Sequence, residues 1–145
     1  MPVTVSIAIA ADAEELTEAL RHLVPQLSRS NPPPSLEAVQ AMLGHDAVTQ
    51  FIARRDDGSI VGVSTLVTFP IPTAIRGWVE DVIVDEASNN QGIGRLLLDA
   101  MVTRAGELGC KTVDLTSRPS REAANHLYRK AGFDERDTNV YRREP

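Results

Sequence analysis

The sequence predicts an α/β domain built on one mixed sheet, and three observations carry that prediction. Stretches of alternating or β-branched apolar residues interchange with stretches of helical periodicity, in the order β, α, α, β, β, β, α, β, α, β. Asp57-Gly58 lies between two of the apolar runs and marks an antiparallel hairpin. Trp78-Val79-Glu80-Asp81-Val82-Ile83-Val84 gives way to a polar segment and then, past Gly92 and Gly94, to strong helix formers, so it reads as strand, turn and helix N-terminus. With 145 residues, 42% of them hydrophobic and 24% charged, the chain fits a single domain, 1–145, with a real core.

Val3, Val5, Ile7 and Ile9 alternate with small or polar residues and predict a first strand with one buried face. Asp12 is placed to cap the next helix, with Leu16, Ala19, Leu20, Leu23 and Leu27 at helical spacing. Asn31-Pro32-Pro33-Pro34-Ser35 cannot be helical and predicts an extended loop over residues 28–35. Ser35 then caps a short helix whose Leu36, Val39 and Leu43 share a face and which Gly44 ends. Residues 48–54 and 60–69 are the hairpin strands, after which Pro70-Ile71-Pro72 is expected to open a loop leading to the central strand, residues 77–84. The helix from Gly92 turns Ile93, Leu97, Ala100, Met101, Ala105 and Leu108 to one face before Gly109 stops it. Residues 111–116 predict a fifth strand. Ser120 is expected to cap a last helix ending near Gly132, and residues 133–142, with Val140, a final strand.

Composition excludes several function classes. The net charge of -5 and pI near 5.2 argue against a nucleic-acid-binding face. The first residues lack the basic n-region of a signal peptide, and no apolar run approaches the roughly 20 residues of a membrane span, so the expectation is a cytoplasmic protein without a membrane partner. Cys110 is the only cysteine, which rules out an intrachain disulfide and a thiolate metal cluster. His22, His45 and His126 are not at ligand spacing, so no metal is expected. Residues 111–145 carry eight Lys/Arg against six Asp/Glu, which suits a small anionic ligand there.

The glycines after the central strand open a place for such a ligand. A helix begins with backbone N–H groups that have no intrahelical acceptor, and its dipole adds partial positive charge there. Without side chains at Gly92 and Gly94 an anion can approach those groups, and any side chain would enter its volume. A dinucleotide fingerprint would need a third glycine where Leu97 stands, and a P-loop would need Lys and Ser/Thr where Arg95 and Leu96 stand. Both patterns fail.

Asn89-Asn90-Gln91-Gly92-Ile93-Gly94 resembles the Arg/Gln-x-x-Gly-x-Gly/Ala signature of the GCN5-related N-acetyltransferase (GNAT) superfamily. Leu127-Tyr128-Arg129-Lys130-Ala131-Gly132-Phe133 is similar to its second signature, a Leu-Tyr pair followed by Gly-Phe. The resemblance runs from the first strand to the last. It implies a mixed, mostly antiparallel sheet of six or seven strands flanked by about four helices, and acetyl-CoA as acyl donor. It assigns the pyrophosphate to Gln91, Gly92, Ile93, Gly94 and Arg95, with Asn89 and Asn90 in the same signature. The pantetheine arm falls to Val82, Ile83 and Val84, with Asn125 and Tyr128 on its other side. Family habit, with Trp78, Val140 and Tyr141 in strands near the open end of the sheet, also implies a homodimer, and family habit implies acceptor loops over residues 28–35 and 69–76. Asn89 departs from the signature's leading Arg/Gln, and Arg121 stands where many members carry Asn.

The chemistry assigns two roles. An alkylammonium near pKa 10.4 cannot attack a thioester until a base removes its proton. Glu80 is the candidate base, because burial in an apolar strand raises a carboxyl toward the useful range. Alternation sends Glu80 and Asp81 to opposite faces, so only one of them is expected in a given cleft. Two polar residues satisfied at a strand bulge are the bland account of both. Tyr128 suits protonation of the departing CoA thiolate, against simple packing as an amphipathic aromatic. An N–H near Val82 is a candidate oxyanion donor. The function expected is N-acetyl transfer from acetyl-CoA directly to a primary amine of a small molecule or peptide, and the alternative is a non-catalytic CoA-binding or sensor domain of the same fold.

Overall fold

The computed structural model describes residues 2–145. Its elements are β1 (Val3–Ile7), α1 (Ala13–Leu27), α2 (Leu36–Leu43), β2 (Val48–Arg55), β3 (Ile60–Ile71), β4 (Ala74–Val84), α3 (Ile93–Glu107), β5 (Thr112–Asp114) and α4 (Glu122–Lys130). The strands lie in chain order across one sheet, antiparallel from β1 to β4 and parallel between β4 and β5. The α/β class, the mixed sheet and the four helices agree with the sequence. Among the described residues the strands number five, not six or seven.

The shortfall lies at the C-terminal end, where residues 133–142 form no strand. Phe133 packs against the core, and every residue after it is exposed, with Val140 71% and Tyr141 88% accessible. Val140 is the one aliphatic residue there, too short an alternation to build a buried strand face.

Other differences have local causes. Asp12 does not cap α1; its carboxylate accepts the Ile9 N–H at 2.8 Å and closes a 3-10 turn over Ala10–Asp12. α4 starts behind Arg121, not Ser120, because the chain is still in a turn there, with the Arg121 N–H donated to the Arg118 carbonyl at 3.0 Å. The loop expected after Pro70 is a hairpin tip, with Ile71 paired to Ala74 across Pro72 and Thr73. By Pro70, β2 has ended, the last contact on that side being Thr68 N–H to the Ala47 carbonyl, so the ring removes no ladder bond to β2.

Strand alternation divides the core into two layers. Ile52, Val63 and Ile83 meet Leu16, Leu20, Leu23 and Val39 from α1 and α2. On the other face Phe51, Ala53, Leu66 and Val79 meet Ile93, Leu97, Leu98 and Met101 of α3. A Cβ at Gly62 would lie 3.2 Å from Ile93 Cγ2 and 3.3 Å from the Ile83 carbonyl oxygen and Leu97 Cδ1. The bare backbone at Gly62 therefore sets how closely the start of α3 sits on β3, and with it the position of the turn before α3. Among the described residues no helix is long and apolar enough to cross a membrane.

Candidate active site

β4 and β5 pair only where Arg76–Trp78 face Thr112–Asp114. β5 then ends while β4 runs on to Val84, so from residue 79 onward β4 has β3 on one side and no strand on the other. The gap is a cleft of about 130 Å³ with Leu27, Glu80, Asp81, Thr116, Arg121 and Tyr128 among its walls. A larger, open groove of about 500 Å³ runs between β1 and α3, lined by Val5, Phe51, Asp99 and Arg104, and holds none of the residues singled out for chemistry.

A bulge shapes the cleft. Val63 pairs with Ile83 and Thr65 with Glu80, so Asp81 and Val82 together oppose Ser64 alone, and Asp81 takes a left-handed φ of 47°. The extra residue resets the alternation: Val79 and Val82, three apart, both pack on the α3 side. For the same reason Glu80 and Asp81 both line the cleft, which corrects the expectation that only one could. Glu80 is exposed, against the burial expected of it in the strand, and Trp78 Nε1 donates to its Oε1 at 2.7 Å. Asp81 stands at the open mouth, where partial withdrawal from water, and then the Glu80 charge, push its carboxyl above the ordinary range.

α4 supplies the facing wall. Tyr128 is half-buried, its ring edge-on to Phe133 with centroids 6.3 Å apart. Asn125 Nδ2 donates to the Arg118 carbonyl at 2.9 Å, which fixes the segment between β5 and α4. The buried Ser117 hydroxyl in that segment has no hydrogen-bond partner among the described residues.

Beyond β4 the chain makes a 3-10 turn over Glu86–Ser88, passes through left-handed Asn90 (φ 64°) and Gly92 (φ 76°), and enters α3. The first helical bond is Leu96 N–H to the Gly92 carbonyl at 3.1 Å, so the N–H groups of Ile93, Gly94 and Arg95 have no helical acceptor. No acidic residue stands in that first turn. A Cβ on Gly92 would meet nothing within 4 Å, as a bare approach for an anion requires. Gly94 differs from expectation: its Cβ would lie 2.9 Å from Leu127 Cδ2, in space filled by α4. The Arg95 guanidinium turns along α3 to Asp99, at 3.0 and 3.1 Å.

The profile of the Acetyltransferase (GNAT) family matches residues 16–133. The chain belongs to that family. The mycothiol acetyltransferase of Propionibacterium freudenreichii subsp. shermanii is 33% identical over 95 residues, which are 66% of this chain and 30% of that protein, so the chain spans less than a third of the curated relative's length. Among solved structures, the ribosomal-protein-alanine N-acetyltransferase of Brucella melitensis superposes with a TM-score of 0.80 at 23% identity, over 99% of both chains. AAC(6')-Iy in complex with the bisubstrate analogue CoA-S-monomethyl-acetylneamine superposes with a TM-score of 0.83 at 18% identity, over 100% of this chain and 99% of the other. At those identities the likeness is one of fold. The family match and the relative both lie among acetyltransferases.

In this GNAT chain Glu80, Val82 and Tyr128 gather at the cleft, whereas Asn89, Asn90, Gln91, Gly92, Ile93, Gly94 and Arg95 form the turn at the head of α3. Ile83 is buried toward α1, and Val84 packs toward α3. Two sets of contacts were missed in the sequence. Arg55 donates to the Ser88 hydroxyl and to Gln91 Oε1. On the other side Asp85 accepts from Gln26 and contacts His22 Nε2 at 3.0 Å, and Gln26 Oε1 accepts the Glu86 N–H at 2.9 Å. Partial burial pushes the Asp85 carboxyl up, but the Ala87 N–H, His22 and Gln26 outweigh it and leave it below the ordinary range. Arg55, His22 and Gln26 carry no motif; only the fold brings them to residues 85–91.

Proposed function

We propose that this GNAT chain moves an acetyl group from acetyl-CoA directly to a primary amine of a small molecule. The observation that supports this reading most is the bulged, half-unpaired β4, which gathers Glu80, Asp81 and Tyr128 around one cleft and leads on to the bare turn at α3. The N–H groups of Ile93, Gly94 and Arg95, at the positive end of the helix, would take the pyrophosphate, bordered by Asn89, Asn90 and Gln91. The open edge of β4 at Val82, Ile83 and Val84 would take the amide-bearing pantetheine arm as an added strand, with Asn125 and Tyr128 opposite.

The amine nitrogen must lose two protons. Glu80 takes the first and frees the lone pair; Asp81 is the second candidate, favoured by its raised carboxyl. The nitrogen then attacks the thioester carbon, forming the N–C bond and an oxyanion whose collapse breaks the C–S bond. Tyr128 gives its phenolic proton to the departing sulfur, and the nitrogen's second proton restores the phenol. An N–H near Val82, at the bulge, holds the oxyanion.

Incubation with acetyl-CoA and a panel of amines, followed by mass spectrometry of the products, tests the reading. The mycothiol relative, and a neighbour of like fold solved as an aminoglycoside acetyltransferase with sisomicin, put amino sugars in the panel beside polyamines, amino acids and peptide amines. Acetylated product is expected. Binding of CoA without product from any amine would favour a sensor domain. The exposed Val140 and Tyr141 are proposed as part of a homodimer contact.

A further inference from the structure

β2 ends in two arginines, and strand alternation sends them to opposite faces. Arg54 ties the β2–β3 hairpin to α1 through Glu15 and Asp12. Arg55 reaches the other face, where Nη2 donates to Ser88 Oγ and, at 2.9 Å, to Gln91 Oε1. The side chain leaves from a fixed base: Gly58 N–H to the Arg55 carbonyl at 2.9 Å and Arg55 N–H to the Ser59 carbonyl at 3.0 Å close the hairpin at this residue. One guanidinium thus spans residues 88–91, the segment that includes left-handed Asn90 and runs into Gly92. Ser88 is the only buried residue between 85 and 92, so apolar packing does little to hold the segment.

We propose that Arg55 is a positioning residue for the phosphate cradle: through Ser88 and Gln91 it holds the turn that aims the N–H groups at the head of α3. This rests on the acetyl-CoA assignment made above. Both bonds leave one nitrogen, Nη2, whose two N–H groups are fixed in the guanidinium plane, whereas the donors of a lysine ammonium rotate freely. Arg55 acts on the phosphate end of the donor and not on the thioester, so its loss should weaken binding and leave the chemical step intact.

The test compares wild type, Arg55→Met and Arg55→Lys in calorimetry with CoA and in kinetics with acetyl-CoA and with S-acetylpantetheine, which lacks the pyrophosphate. Arg55→Met should raise the CoA Kd and the acetyl-CoA KM about 10- to 100-fold, as expected for losing hydrogen bonds from a charged donor, with kcat held. Arg55→Lys should lose most of the same affinity, and it carries the test should the Met variant unfold. The loss should be confined to the phosphate-bearing donor. Gln91→Ala added to Arg55→Met should cost little more, because the two act as one unit. Wild-type CoA affinity in both variants, an equal loss with S-acetylpantetheine, or additive effects of Arg55 and Gln91 would overturn the inference while the donor assignment stands. A wild-type protein that binds no CoA would remove both.

Discussion

Gly92→Ala and Gly94→Ala make the sharpest paired test, because the two glycines are needed for different reasons. Gly92 has φ 76° and ψ 10°, and an L side chain in that region costs about 1–2 kcal/mol. Nothing lies within 4 Å of the added Cβ, so no packing cost adds to the strain. At roughly 2–4 °C per kcal/mol for a domain of this size, Gly92→Ala should melt roughly 2–8 °C below wild type. Gly94 lies inside α3, where alanine is better than glycine by about 1 kcal/mol, but its Cβ would sit 2.9 Å from Leu127 Cδ2. Overpacking of that kind costs about 1–3 kcal/mol, which leaves a net loss of about 0–2 kcal/mol, set by how far the Leu127 side chain turns. Binding should separate the variants more sharply than stability does. The Gly92 methyl enters the open approach to the free N–H groups, so CoA affinity should fall at least about tenfold, or 1.4 kcal/mol. The Gly94 methyl points at α4 and should cost less. Scanning fluorimetry and calorimetry give both quantities, and wild-type CoA affinity in a Gly92→Ala protein that melts early would falsify the cradle.

How much was legible in the sequence depended on whether the signal was local. Ser35 caps α2 by accepting the Ala38 N–H at 3.2 Å, and Asp57-Gly58 turns the β2–β3 hairpin, because both devices act within three residues. The apolar face of α3 was equally plain, since Ile93, Leu97, Met101 and Ala105 recur at helical spacing. The bulge at Asp81 entered only as the bland account of the two acids, not as the device that aims them. It is a mismatch between β4 and β3, and no count along β4 alone reveals that Ser64 faces two residues. Strict alternation therefore separated Glu80 from Asp81, and the fold brings both to one cleft. Arg55 and Gln91 are 36 positions apart and meet only because α3 settles on Gly62. The final strand failed in the opposite way: Val140 and Tyr141 looked like strand residues locally, but no partner strand lies beside them in the single chain.

Tyr128→Phe should lower turnover by roughly 10²- to 10⁴-fold, the range for one general acid, with acetyl-CoA affinity nearly unchanged; normal turnover would leave the tyrosine as packing. Light scattering at micromolar concentration should report a homodimer, and a monomer would remove the proposed role of Val140 and Tyr141. Glu80→Gln and Asp81→Asn should each slow the reaction, and the true base is the one whose loss abolishes the acidic limb of the pH profile. Asp81 also carries a stability signature. Its folded pKa is raised, so the stability carried by the protonated carboxyl is complete below the ordinary carboxylate pKa and is lost as pH rises through the folded value. Asp81→Asn, which stays neutral, should therefore gain melting temperature over wild type at pH 7 and lose that advantage near pH 3. A variant with lower activity and a pH-independent change in melting temperature would mean that Asp81 acts through the bulge geometry and not through its charge.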